Sequence, residues 1–385
     1  MVSRIFSPEA AAASFRLAAL ANALHAAGAR VDVLTVSEPT GAPPTTHPSI
    51  RISRRPVLRD GDGYVRGYLQ YLSFDVPLAV RLLLTRRPDV VVVEPPPTTG
   101  AVVRLVCALR RLPYVYNGAD VWSDAAASTG APAPVVAVVR RLESFALAGA
   151  AAVLSVSDGV TERVRALGAR SVVTTGNGVD TDTFTPAGPR HSEPDGAPYL
   201  LYAGTASEWQ GADIFVRAMT RVREQVPGAR LVFLGQGSAW PRLRELAAAL
   251  PGGDAGEDAP VLFVPPASPA ETATWLRGAR SAVVSLRPGQ GYDFAIPTKV
   301  FAALACGTPV VYTGPGPAGA ILTDHRMGRV AEYAPGPVAA AMVAALTTDR
   351  DAAQERRLHE WVLENRSLDA AGRRGAAVVL AAAAP

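Results

Sequence analysis

Residues 90–117 read VVVVEPPPTTGAVVRLVCALRRLPYVYN. Four consecutive valines, Val90–Val93, cannot alternate an inner with an outer face. A run that is apolar on both sides marks a strand covered by helices above and below, the condition of a parallel sheet. Glu94 ends the run and Pro95, Pro96 and Pro97 close it, because proline cannot donate to a ladder. Ala101–Arg111 then carries apolar residues at helical spacing, and Tyr114–Asn117 starts a second strand. Strand, helix and strand in succession form one βαβ unit.

The alternation continues on both sides. Strands are expected near Ser3–Phe6, Val31–Val36, Ile50–Ser53, Ala152–Ser155 and Val172–Thr175, with a helix over Ser14–Ala27. Pro186–Pro198 holds four prolines and two glycines and reads as a linker. Beyond it the pattern restarts, with strands at Tyr199–Ala203, Leu231–Leu234, Val261–Val264, Ser281–Ser285 and Val310–Thr313. The expected architecture is α/β: two Rossmann-like, doubly wound parallel-sheet domains facing across a cleft. Residues 1–185 make the first, 186–198 the linker and 199–348 the second. Residues 349–385 are a helical segment packing back on the first. Ligands are expected outside the carboxyl ends of the strands.

Composition narrows the function. The 385 residues are 49% hydrophobic and 19% charged, the reverse of a disordered chain. No apolar run is long enough for a membrane span, and the N-terminus reads as lacking a secretory leader. Cys107 and Cys306 make no disulfide framework, and no Cys/His cluster has zinc spacing. The expectation is a cytoplasmic protein without metal or cofactor. Residues 1–190 hold 20 basic against 15 acidic residues, and residues 191–385 hold 18 against 19. That excess is too thin for nucleic acid, which needs a dense basic face. Of the 38 basic residues, Lys299 is the one lysine.

Anion-binding signals cluster in the second half. Gly204-Thr205-Ala206-Ser207 and Gly235-Gln236-Gly237-Ser238 each follow a strand. Glycine at such a turn lets backbone N–H groups approach an anion, although ordinary α/β connections look the same. The segment Arg287–Phe301 says more. Pro297 stands at the start of a helix and Lys299 inside its first turn, where a cation opposes the helix dipole. An anion at the helix end resolves that conflict, with Lys299 and the free N–H groups as its ligands. In the first half, Glu94 and Asp120 stand at strand ends, where a cleft carboxylate belongs; a solvated acid fits as well. Tyr64, Tyr68, Tyr71 and Phe74, with Arg59 and Arg66, form either a packing face or an acceptor- or lipid-facing one, and with the latter peripheral contact with a membrane. Walker and Ser/His/Asp patterns are missing, so nucleotide hydrolysis and triad hydrolysis lose their usual support.

Taken in order, these segments resemble the retaining family-4 glycosyltransferases of the GT-B fold across essentially the whole chain. Gly176-Asn177-Gly178-Val179-Asp180, then Phe184 and Pro186, is similar to the phrase closing the family's first domain, and Tyr202-Ala203-Gly204 to the start of its donor domain. Pro297-Thr298-Lys299-Val300-Phe301 and Cys306-Gly307-Thr308-Pro309-Val310-Val311 resemble the block around the donor diphosphate. Ser7-Pro8-Glu9, Ser14-Phe15-Arg16 and Asp120-Val121-Trp122 resemble the subgroup that builds surface polysaccharides and lipid-linked sugars.

The resemblance implies transfer of a sugar from a nucleotide-diphosphate sugar to an acceptor hydroxyl, with retention and without a metal ion. It assigns the donor to Gly204, Thr205, Gly235, Arg287, Asp293, Pro297, Thr298 and Lys299, with the base near Val264 and Pro265. It assigns the acceptor to Ser14, Arg16, Glu94, Asn117 and Trp122, and catalysis to Asp120 and Lys299. The carbohydrate or lipid-linked acceptor would put the protein at the inner face of a membrane. Two departures stand out. Thr205 and Gln210 occupy positions where family members carry an arginine and a lysine. Ala302 and Phe294 occupy those of two glutamates, the first of which contacts the donor ribose, and Asp293 stands beside the second. A nucleotide-sugar 2-epimerase and a catalytically weak binding protein of the same fold remain as alternatives.

Overall fold

The computed structural model describes residues 1–9, 12–37, 46–59, 65, 67–128, 131–193, 196–254, 256–290, 293 and 295–384. It divides into two units, residues 1–178 with the last helix, Leu368–Ala383, and residues 179–367.

In the first unit the valine run is a buried strand, as its composition demands. Helix α1 (Ala12–Ala26) precedes strands β1 (Asp32–Val36) and β2 (Arg51–Arg55). Helix α2 (Tyr68–Leu84) leads to β3 (Val91–Val93), α3 (Pro97–Arg110) and β4 (Tyr114–Gly118). Helices α4 (Trp122–Ser128) and α5 (Ala133–Ala148), strand β5 (Ala152–Ser155), helix α6 (Asp158–Ala166) and strand β6 (Val172–Thr174) follow. Helix α3 starts four residues before the expected Ala101, because Pro97 fits the first turn, where its missing N–H costs nothing.

β1 pairs with β2, and β3, β4, β5 and β6 pair in that order, all parallel. Val2 joins the two sets by single bridges to Leu34 and Val93. The strand expected at Ser3–Phe6 is therefore one bridge at Val2. Past it the Ser3 hydroxyl donates to the Ile5 carbonyl at 2.6 Å and accepts from the Ile5 N–H at 3.1 Å, a local turn that competes with the ladder. The order in which strands are added reverses between Val2 and β3, all remaining parallel, which makes this the switch point where α/β sheets open a crevice. Helices α2, α3, α5 and α6 cover one face through Phe74, Leu78, Val103, Leu147 and Val160. Helix α1 and the last helix cover the other through Leu17, Leu20, Leu24, Ala376 and Val379.

The second unit repeats the scheme. Its strands are β7 (Tyr199–Thr205), β8 (Arg230–Gln236), β9 (Val261–Val264), β10 (Ser281–Ser285), β11 (Val310–Thr313) and β12 (Gly328–Ala331). Its helices are α7 (Asp213–Gln225), α8 (Trp240–Ala248), α9 (Pro269–Gly278), α10 (Thr298–Ala305), α11 (Pro317–Asp324), α12 (Pro335–Thr347) and α13 (Ala352–Asn365), so that Leu368–Ala383 is α14. The sheet is parallel in the order β12-β11-β10-β7-β8-β9, and its switch point lies between β7 and β10. β12 is an edge strand without an apolar run, so its composition does not announce it.

The boundaries differ from the sequence reading. The first unit ends at Gly178 rather than at residue 185, because Val179 is buried in the second core and its N–H donates to the Arg366 carbonyl. Around the expected linker, the Arg277 guanidinium donates to the carbonyls of Thr185 and Pro189, and the His191 N–H to that of Thr274. Segment 349–385 is split. Leu358 and Val362 of α13 are fully buried beside Phe301 and Leu304 in the second unit, each worth about 1.5–3 kcal/mol of burial, while α14 packs on α1 in the first.

Candidate active site

The second unit places the anion-binding signals at its switch point. β7 ends in Gly204-Thr205 and β8 in Gly235-Gln236, in register with each other. The backbones approach so closely that side chains are excluded: a Cβ on Gly235 would lie 2.4 Å from the Gly204 oxygen, and one on Gly237 2.0 Å from that of Ala206. Gly204 and Thr205 are exposed at this edge. Pro297 caps α10, Thr298 opens it, and Lys299 is its second residue. The Lys299 ammonium donates to the Thr205 carbonyl at 2.9 Å and lies 3.9 Å above the Tyr202 ring, a cation–π distance. Lys299 thereby ties α10 to the end of β7. Burial alone pushes its ammonium down to about 7, and among the described residues no carboxylate pairs with it. A cation in the first turn of a helix opposes the helix dipole, and no described carboxylate offsets it here.

Gln210, one of the two positions where a cation is absent, has a different task. Its amide oxygen accepts from the Tyr202 hydroxyl at 3.1 Å and from the Ser207 N–H at 3.0 Å, closing a capping box. It fixes the ring beneath Lys299. Arg287, expected on the diphosphate, donates from its guanidinium to Asp213 at 2.6 Å, in the first turn of α7, and from its backbone N–H to the Trp209 carbonyl. Asp213 had no signal in the sequence, because 74 residues separate the pair. Val264 is half-buried at the end of β9, and Pro265 and Asp293 are exposed. Phe294 lies outside the described residues. Ala302 is half-buried against the apolar core and offers no polar group.

The first unit gathers a second group at its own switch point. Glu94 follows β3 and is 6% exposed. The Asn117 amide, at the end of β4, donates to Glu94 Oε2, and the Arg16 guanidinium of α1 lies 3.7 Å from Oε1. Ser14 is buried on α1, two residues before Arg16. Burial pushes the Glu94 carboxyl up to about 7 against the pull of Arg16 and the Asn117 hydrogen bond, and the nearby Asp120 charge adds to the rise. Asp120 itself is exposed. Arg16, Glu94 and Asn117 thus come together, with Asp120 close enough to act on Glu94.

Trp122, half-buried, opens α4, whose first N–H groups donate to a residue that sequence reasoning missed. Glu143, on α5, accepts from the backbones of Trp122 and Ser123 at 2.7 and 3.0 Å. Arg4 was missed as well. It is 4% exposed, stacks 4.2 Å above the Tyr71 ring and donates to the Val65 carbonyl. A lone arginine beside a short apolar stretch carries no signal of either contact.

Comparison with known proteins follows this division. Residues 12–178 match the family described as "Glycosyl transferase 4-like domain", ending where the first unit ends, and residues 197–348 match "Glycosyl transferases group 1". The chain belongs to the family-4 glycosyltransferases of the GT-B fold. D-inositol 3-phosphate glycosyltransferase of Pseudarthrobacter chlorophenolicus is 35% identical over 148 residues, 36% of this chain and 33% of the relative. The enzyme of that name from Xylanimonas cellulosilytica is 34% identical over 39% of this chain and 37% of its own length. The matched stretch thus spans about a third of these curated relatives. Among solved structures, WaaG, a glycosyltransferase involved in lipopolysaccharide biosynthesis, superposes with a TM-score of 0.67 at 15% identity, covering 98% of both chains. Anabaena HepE in complex with UDP gives 0.65 at 13% identity, over 99% of this chain and 98% of that one. At these identities the structures speak for the fold.

Proposed function

We propose that the chain is a retaining glycosyltransferase that moves a sugar from a nucleotide-diphosphate sugar to a hydroxyl of a carbohydrate or glycolipid acceptor, without a metal ion. The observation that carries this reading is Lys299: a half-buried ammonium that no carboxylate among the described residues pairs with, in the first turn of α10, against glycine-built strand ends. A diphosphate there would restore its charge and accept from the free N–H groups of α10. As the glycosidic bond breaks, charge grows on the leaving phosphate, and Lys299 is positioned to stabilise it, the kind of electrostatic contribution that usually dominates such catalysis. The leaving phosphate would take the acceptor proton. Glu94, Asn117 and Arg16 would hold acceptor hydroxyls, and Asp120 would orient the acceptor or steady the developing oxocarbenium. HepE structures with UDP and UDP-glucose make UDP-glucose the first donor to try, and the inositol phosphate in the names of the curated relatives makes a phosphorylated polyol the first acceptor.

Ala302 favours a second reading, a member of the family that binds donor weakly and transfers little, because a ribose left without its carboxylate loses a strong contact. Calorimetric titration of UDP, GDP and dTDP into wild type and Lys299→Ala separates the two. The first reading predicts micromolar binding of one nucleotide, weakened about ten- to a hundredfold in the variant. Failure of all three to bind overturns it in favour of the second.

A further inference from the structure

The helical layer of the first unit that covers β3 to β6 has an unusual outer surface. Helix α2 turns Phe74, Leu78 and Leu82 inward and sets Leu69, Leu72, Val76, Val80 and Leu84 outward, each more than half exposed. Their spacing of three to four residues is a single stripe along the helix. Helix α3 adds Leu105 and Leu109, and α5 adds Val138, all more than half exposed. α2 packs on α3 and α3 on α5, so the stripe widens across one layer. The sequence pointed to the opposite side of α2. Phe74 is buried in the core and Tyr71 lies under Arg4, while Tyr64, Arg66 and the Tyr68 side chain fall outside what is described.

Charge on these helices is one-sided. The acids of α2, α3 and α5 are Asp75 and Glu143, both 1% exposed; Asp75 accepts from the Thr99 hydroxyl and Glu143 caps α4. Their outward basic residues include Arg140 and Arg141, both exposed, and Arg104, whose guanidinium lies 4.1 Å over the Phe145 ring where α3 meets α5. Arg86 and Arg87, just past α2, and Arg111, just past α3, are exposed too, with Asp89 the acid in the intervening loop. An apolar face dotted with arginines and free of exposed acids on its helices fits a surface with an apolar interior and an anionic skin. A second copy of the chain fits it poorly, because like charges would face each other.

We infer that the α2–α3–α5 face docks on an anionic lipid surface. Among the described residues no helix is long and apolar enough to cross a membrane, so the contact is one of lying on the surface. The inference rests on the first unit alone and is independent of the donor-site reading.

The test is flotation of the full chain with vesicles of phosphatidylcholine, alone or mixed with phosphatidylglycerol. Wild type should bind the mixed vesicles, bind pure phosphatidylcholine at least about tenfold less, and lose binding as salt rises. Leu72→Glu/Val76→Glu/Val80→Glu replaces solvent-exposed side chains and should keep the wild-type melting temperature and UDP affinity while losing vesicle binding at least about tenfold. Arg140→Glu/Arg141→Glu should weaken binding to the mixed vesicles about fivefold or more per residue. Failure of wild type to bind the mixed vesicles overturns the inference, as does unchanged binding by the triple variant. A wild-type dimer that the triple variant dissociates, seen by light scattering, would assign the face to a second copy and also overturn it. UDP titration, run in parallel, reports on the donor site separately.

Discussion

Nucleotide binding should be accompanied by proton uptake, and Lys299 sets the amount. In the free protein, burial holds its ammonium at about 7, so at pH 8 about nine tenths of the side chain is neutral. A diphosphate within hydrogen-bond reach favours the charged form and should raise that pKa by about 1–3 units. Between pH 7 and the raised value, the complex then binds more protons than its free components. Affinity must fall as pH rises through this window, approaching tenfold per pH unit at its steepest. Diphosphate ionisation should interfere little, since a second phosphate pKa lies near 6. The assay is calorimetry of the tightest-binding nucleoside diphosphate at several pH values, in two buffers of different ionisation enthalpy. The expected result is uptake of about 0.4–0.9 proton at pH 8, abolished along with the pH dependence in Lys299→Met. Zero uptake at pH 8 with flat affinity between pH 7 and 9 would show that the ammonium is charged before the ligand arrives, and the reasoning would fall.

Three further outcomes follow from the geometry. Glu94, raised to about 7 by burial, binds its proton more tightly folded than unfolded, so its contribution is full below the ordinary carboxylate range and is lost as pH rises through 7. Glu94→Gln should therefore stabilise the first unit at pH 8 by up to about 3 kcal/mol and flatten its melting temperature between pH 5 and 8; a variant melting below wild type at pH 8 would contradict this. Gly237→Ala drives a Cβ into the Ala206 carbonyl at positive φ and should cost about 2–4 kcal/mol, with loss of nucleotide binding, in thermal unfolding and titration. Ala302→Glu, which restores a carboxylate one turn after Lys299, should tighten UDP binding about tenfold and leave 2′,3′-dideoxy-UDP unchanged; equal effects on both would show that the position does not meet the ribose.

Much of this molecule is legible in its sequence, for identifiable reasons. Val90–Val93 reads as a buried parallel strand because burial on both faces leaves no room for alternation, and Lys299 is conspicuous because its position opposes a helix dipole. Glu94 and Asn117 meet because both stand at adjacent strand ends, a relation fixed by topology. Contacts between distant segments left no trace. Glu143 reaches Trp122 from 21 residues away, and Arg287 finds Asp213 across 74. Glu143, Arg287 and Asp213 are residue types that would be equally at home in solvent. The split of the C-terminal segment was hidden for a related reason: α13 and α14 each carry an apolar stripe, and a stripe does not say which of two cores it enters. Outward stripes mislead in the same way, since aromatic spacing on α2 drew attention to Phe74, which is core, and away from Leu72 and Val76, which are not.

The central claim is transfer with retention at a site organised by Lys299. Its most direct test is to incubate the protein with UDP-glucose and inositol phosphate, with other donors and polyol acceptors in parallel, and to follow the anomeric proton of the product by NMR. A product with the anomeric configuration of the donor, formed by wild type and lost in Lys299→Ala, is the predicted result. Inverted product, or transfer by Lys299→Ala at the wild-type rate, would contradict it.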